Sequence, residues 1–262
     1  MPPTIDLTDV PTKARITAVE LVGSVGLGYL GQVLSSAELM TATLGDLVRP
    51  YTDRFILSPA HYVTAVYAVG AELGLLDRKE LIHYGIDGAA LETIGSERTP
   101  LVDFTCGSLA QGLSVGIGYA LADRLAGTGA RTAVFASDGE MEEGQTWEAA
   151  LFAAHHRLDT ITVVLDCNNS QVDGAVSMVT TVEPVSAKWE AFGWEAVEVD
   201  GHDLEAVLGA LHVDRGGKPL IIVGRSDPTA GLNAIAGLDD AHFITLGPDL
   251  VNELIVELKG RL

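Results

Sequence analysis

The chain has 262 residues and a mass of 27.5 kDa, with 47% apolar residues, which is room for one large α/β domain or two small ones. Lys and Arg total 16 against 36 Asp and Glu, a formal charge of −20. That balance argues against nucleic acid or an anionic membrane surface as partner, but not against a local phosphate site built from backbone N–H groups.

Cys106 and Cys167 are too few for a disulfide framework and suit a reducing compartment. The acidic start MPPTIDLTDVPTK lacks the pattern of a signal peptide. No uncharged apolar run approaches the ~20 residues of a membrane helix. The expected location is the cytoplasm.

Residues 1–11 read as an extended arm and 12–23 as a helix, followed by the glycine-rich break GSVGLGYLG. A second helix is expected from SSAELM, capped by Ser35 or Ser36. DRFILS (53–58) reads as a strand, HYVTAVYAVGAELGLL as an apolar helix and 85–105 as irregular. A buried helix is expected from Gly107. Its small residues Gly112, Gly116 and Ala120 recur every four positions and allow close backbone approach on one face.

RTAVFAS is a strand, GQTWEAALFAAHHRL a helix and TITVVLD a β-branched strand. Pro184 opens a helix through Phe192, WEAVEV and PLIIVG are strands, and DLEAVLGALH is the helix between them. Residues 226–241 read as a loop and 248–260 as a C-terminal helix. This alternation predicts an α/β fold: a mostly parallel sheet with helices on both faces, in a single domain over 1–262.

Two parallel strands of a βαβ unit end at the same sheet edge, where ligands bind. Asp138 ends the first such strand here and Asn168 the second, 30 positions apart (168 − 138), so they converge. A carboxylate and an amide oxygen are hard ligands that suit Mg²⁺ or Ca²⁺, and Mg²⁺ shares its shell with phosphate. The bland reading gives Asp138 to a helix cap and Asn168 to a turn. Either residue alone fits it, but both together, with Gly139 beside the carboxylate, fit it less well.

ASDGEMEEGQTWEAALFAAHHRLDTITVVLDCNNSQVDG resembles the thiamine diphosphate motif, G-D-G, about thirty residues, then N, in its transketolase form. DRFILSPAHYVTAVYAVGAELGLL, VDFTCGSLAQGLSVGIGYALADRL and WEAFGWEAVEVDGHDLEAV are similar to further segments of that family, in the version whose amino-terminal half is a separate subunit. The resemblance runs from about residue 15 to the end. It implies a diphosphate-binding (PP-type) domain holding thiamine diphosphate and Mg²⁺, for which Ca²⁺ substitutes.

By the same resemblance, the metal is held by Asp138, Asn168 and the Ser170 carbonyl, and Gly139 lets the backbone approach the diphosphate. Glu140, next to Gly139, counts among the cofactor-binding residues. His61 contacts the diphosphate and faces the reactive carbon. Gly107, Ser108 and Leu109 lie against the two rings, Glu143 links two active sites across a dimer, and His242 lies near the diphosphate.

The implied activity is transfer of a two-carbon ketol unit from a ketose to an aldehyde. The glutamate that assists the aminopyrimidine belongs, in the family, to a pyrimidine-binding domain. The expectation is therefore an inactive chain completed by a carboxy-terminal partner subunit, in an α₂β₂ assembly. The alternatives are decarboxylation of a 2-oxo acid with transfer to a lipoyl or carrier-protein acceptor, and a non-catalytic scaffold subunit.

Four places depart from the family. Tyr29 stands for a histidine, Ser96 lies where another donor-reading histidine is expected, Ala241-His242-Phe243 stands for W-H-G, and Ser137 replaces the first glycine of G-D-G.

The glycines of 23–31 follow a helix rather than a strand, so they do not form a dinucleotide loop. His155 and His156 are adjacent on a helix and diverge.

Overall fold

The computed structural model describes residues 6–238 and 241–262. In chain order the elements are α1 (Val10–Val25), β1 (Leu27–Gly28), α2 (Leu30–Ala42), β2 (Arg54–Pro59), α3 (Val63–Glu72), β3 (Phe104–Cys106), α4 (Gln111–Ala126) and β4 (Thr132–Ser137). Then come α5 (Gly144–His155), β5 (Ile161–Cys167), α6 (Val176–Val179), α7 (Val185–Ala191), β6 (Glu195–Asp200), α8 (Leu204–Leu211), β7 (Leu220–Arg225), β8 (Ile244–Thr245) and α9 (Pro248–Lys259).

Six strands form one sheet in the order β3-β2-β4-β5-β7-β6, and every pair is parallel. Alternate residues of each strand feed opposite faces. Ala133, Phe135, Val164, Leu220 and Ile222 share one core with α1, α2, α3, α8 and α9. Val134, Ala136, Val163, Leu165, Ile221 and Val223 pack under α4, α5 and α7. Burial on both faces explains the near-continuous apolar runs of β4, β5 and β7.

The small face of α4 does what its spacing predicts. A Cβ on Gly112 would lie 2.5 Å from Ser58 Cβ, and one on Gly116 would lie 2.6 Å from Val134 Cγ2. The helix therefore sits directly on β2 and β4.

Several expectations are corrected. Helix α1 starts at Val10, inside the expected arm, because Pro11 is acceptable in a first turn where the N–H would be unpaired anyway. The first five residues of that arm lie outside the described residues. Helix α2 starts at Leu30, so neither Ser35 nor Ser36 caps it. Ser36 Oγ instead donates to the Gln32 carbonyl at 2.5 Å, and Ser35 Oγ reaches Asp166 at 2.5 Å.

The break between α1 and α2 holds strand β1, which pairs antiparallel with β8, more than two hundred residues away. Strand β3 closes the stretch read as irregular and forms the sheet edge. Helix α4 starts at Gln111 rather than Gly107, because Ala110 adopts φ 68° and turns the chain into it.

Asp53, buried at the entrance to β2, ties that strand to β4. It accepts from Arg49 N, Nε and Nη2 and from Arg131 N, Nε and Nη2, all between 2.6 and 3.1 Å. Burial pushes its carboxyl up, but the two arginines hold it well below the ordinary carboxylate range. Asp53→Ala should cost about 3 kcal/mol at pH 7 by urea denaturation. A lowered carboxylate stabilises above its unfolded value, 3.8 here, and less below it. The gap between variant and wild type should therefore close as the pH falls below that value.

Candidate active site

The carboxyl ends of β2, β4 and β5 open into a cleft of about 240 Å³, lined among others by Tyr29, His61, Tyr62, Gly107, Leu109, Asp138, Gly139, Ser170 and His242. Each strand delivers its residue through the local turn that ends it. After β4, Ser137 and Glu140 form a capping box on the short 3₁₀ turn Asp138–Glu142. That duty falls to Ser137 and Glu140, so Asp138 caps nothing. It turns across the sheet edge, where Oδ2 accepts from the Asn169 N–H at 2.6 Å and Oδ1 from the Gly139 N–H at 3.0 Å. Ser137 in place of glycine thus supplies the cap.

After β5, Asn168 Oδ1 accepts from the Ser170 N–H at 2.9 Å, while Nδ2 donates to Ser35 Oγ, Tyr62 Oη and Asp166 Oδ2 at 3.0–3.1 Å. Asp138 and Asn168 do converge, and both are buried. Burial pushes the Asp138 carboxyl up to about 7, with the neighbouring Asp166 adding to the rise and the two N–H groups opposing it.

Among the described residues no three His, Cys, Asp or Glu side chains are grouped to hold a metal by themselves. The donors on offer are one carboxylate, one amide oxygen and a carbonyl beside an open cleft. This set fits Mg²⁺, which completes its shell with phosphate and water, and does not fit zinc. A cation there would also offset the two buried carboxylates.

His61 follows β2 in the 3₁₀ turn Ala60–Tyr62. Its ring lies 5.2 Å from Tyr29, 5.0 Å from Tyr62 and 5.2 Å from His242. Burial, and then His242, hold its imidazole down at about 3, so it is neutral near pH 7. His242 is buried against Gln32 of α2. With the Gln32 amide oriented to satisfy every partner, Oε1 accepts from His242 Nδ1 at 2.6 Å and the amide nitrogen donates to the His242 and Tyr29 carbonyls. Gln32 therefore fixes the proton of His242 on Nδ1.

A Cβ on Gly31 would stand 2.0 Å from the Ala241 carbonyl oxygen, next to His242. Gly31→Ala should push that segment outward at a cost of about 1–3 kcal/mol. The expected readout is weaker cofactor binding in calorimetry with unchanged far-UV circular dichroism.

The remaining expected residues fall unevenly. Gly107 and Leu109 line the cleft; Ser108 is exposed beside it, its carbonyl meeting Cys106 Sγ. Glu140 stands behind the wall, not on it. Its carboxylate accepts from Ser58 Oγ at 2.5 Å, the Ala110 N–H at 2.7 Å and the Ser137 N–H at 3.0 Å, bracing β2, the 107–110 loop and β4. Glu143 is exposed on this chain, just before α5.

Sequence reasoning missed Tyr62, Gln32, Ser35 and Asp166. The signal available was a polar group inside an otherwise apolar helix or strand.

A hollow of about 490 Å³ opens at the opposite sheet edge, near Tyr51 and Leu101. The charged groups facing it, Asp53, Arg54 and Asp103, are already engaged, Arg54 with Asp123 at 3.2 Å and Asp103 with the Phe55 N–H at 2.8 Å. It has no convergent polar set.

A parallel α/β sheet with a carboxylate, an amide and paired imidazoles around a cleft at its carboxyl edge has the ligand site of an open α/β fold. The chain belongs to the transketolase family: residues 9–259 match the family described as transketolase, thiamine diphosphate binding domain. It is 32% identical over 266 residues to the 6-deoxy-6-sulfo-D-fructose transketolase subunit of a Clostridium species, covering 97% of each chain. It is 32% identical over 242 residues to an apulose-4-phosphate transketolase subunit of Actinobacillus succinogenes, covering 88% of each. The transketolase of Pichia stipitis, solved with sedoheptulose 7-phosphate, superposes with a TM-score of 0.85 at 26% identity, over 97% of this chain and 40% of that one. Among the described residues no helix is long and apolar enough to cross a membrane.

Proposed function

We propose that this chain is the diphosphate-binding subunit of a two-subunit, cytoplasmic transketolase that moves a two-carbon ketol unit from a ketose to an aldehyde. The observation that carries the reading is the 2.6 Å bond from the Asn169 N–H to Asp138 Oδ2, which joins the strand ends that would hold the metal, beside the cleft that His61 and His242 also line. Asp138, Asn168 and the Ser170 carbonyl would hold Mg²⁺, and Gly139 would leave room for the diphosphate. Thiamine diphosphate, once bound, supplies the electron sink for the two-carbon unit. Neutral His61 is able to donate or accept a proton at substrate oxygens, and His242 is held in one tautomer beside it.

The two similar chains named as transketolase subunits, of comparable length, support dependence on a partner. That partner would carry the pyrimidine-binding domain and the glutamate that assists the cofactor. The exposed position of Glu143 suits a group that becomes buried when two diphosphate-binding subunits meet in an α₂β₂ assembly.

Tyr29 forms an edge contact with Phe243 at 4.9 Å, so one wall of the cleft is aromatic where the family has an imidazole. This favours a ketose with fewer hydroxyls to read at that wall. The test is a donor screen with the chain alone and with its partner: ketose-dependent turnover only in the pair supports the reading. Turnover by the chain alone overturns the partner requirement, and 2-oxo acid turnover in the pair overturns the ketose donor.

A further inference from the structure

Asp166 is fully buried at the end of β5 and stays off the cleft surface. Four donors surround it. Ser35 Oγ donates to Oδ2 at 2.5 Å, Tyr62 Oη at 2.9 Å and Asn168 Nδ2 at 3.0 Å, while Ser226 Oγ donates to Oδ1. Ser35 and Tyr62 also touch Asn168 Nδ2, each at 3.1 Å. A hydroxyl has one proton and two lone pairs. Both hydroxyls have given their proton to Asp166, so toward Asn168 they only accept.

We propose that Asp166 is a positioning residue that fixes which way the Asn168 amide faces. With Nδ2 held by three acceptors, Oδ1 is turned to the Ser170 N–H, on the side of the cleft. The reversed amide would set its oxygen against those three acceptors and its NH₂ against the Ser170 N–H, leaving buried polar groups unpaired at both ends. Without Asp166 the two hydroxyls are free to turn their protons toward Asn168, and the reversed amide is no longer penalised at that end. That amide would present N–H groups to a cation and could not ligate it. The inference rests on the metal-binding reading above and adds the residue that enforces it from behind.

The experiment measures the Mg²⁺ concentration giving half-maximal thiamine diphosphate binding, by calorimetry on the full chain in its assembly. Thermal midpoints without ligand are recorded in parallel. Asp166→Leu should raise that concentration about tenfold or more, the range found when outer partners of metal ligands are removed. Asp166→Ala removes the carboxylate without filling its place. It should shift the same way, and it carries the test if Asp166→Leu does not fold. Ser226→Ala removes a bond from the far oxygen of Asp166 and should leave the Mg²⁺ requirement within about twofold, whatever it does to the thermal midpoint.

A folded Asp166 variant with the wild-type Mg²⁺ requirement overturns the inference. So does a Ser226→Ala shift as large as that of the Asp166 variants, because the effect would then be general loosening. Absence of metal-dependent binding by the wild-type assembly overturns the proposed function itself.

Discussion

Asp138→Ala should reduce Mg²⁺-dependent thiamine diphosphate binding by about 100-fold or more, equivalent to about 2.7 kcal/mol, while leaving the ligand-free chain at least as stable as wild type. A lost ligand explains the first effect. The second follows from the charge arrangement. Burial and Asp166 raise the Asp138 carboxyl from 3.8 to about 7, so it releases its proton more readily in the unfolded chain than in the folded one. It therefore costs stability as the pH rises from 3.8 to about 7, and that cost is constant above this window. Urea denaturation of both proteins without cofactor should show the variant gaining on the wild type across that interval, by an amount on the order of a few kcal/mol at most. Cofactor and metal should reverse the order, since they stabilise only the chain that binds them. A variant that binds cofactor as the wild type does would remove Asp138 from the site.

His61→Ala should lower kcat of the assembled enzyme about 100-fold, with cofactor affinity within a few fold of wild type. The imidazole stands at the cleft between Tyr29, Tyr62 and His242 and is held neutral by burial, with its acid form reached only at about 3. Its expected contribution is proton donation and acceptance at substrate oxygens, not a positive charge against the diphosphate. The effect should therefore appear in kcat and stay flat from pH 6 to 8. A loss confined to cofactor binding, with kcat unchanged at saturation, would assign His61 to the diphosphate alone.

Strand and helix order from β4 to β7 was legible because each strand is buried on both faces and each helix is short and well punctuated. Gly112 and Gly116 announced a close helix–sheet contact, and Ser58 and Val134 are what they meet. Asp138 and Asn168 were legible because a βαβ unit forces its strand ends to one edge.

The illegible parts depend on long-range pairing. Strand β1 exists only because β8 lies beside it, and two residues carry no periodic signal. Ser35 and Ser36 look like caps in isolation. They lie inside a helix because a carboxylate from β5 and a carbonyl of α2 satisfy them. Glu140 reads as one more acidic residue at the motif, yet three donors from three segments turn it inward. The tautomer of His242 depends on Gln32, 210 positions away, and no local pattern marks that partner.

The most direct test is calorimetric titration of thiamine diphosphate with Mg²⁺ into the chain alone and into the chain with its co-purifying partner. The predicted result is metal-dependent binding that tightens or first appears with the partner and is lost in Asp138→Ala. Absence of binding in both states would contradict the cofactor reading and leave a family fold without the cofactor chemistry.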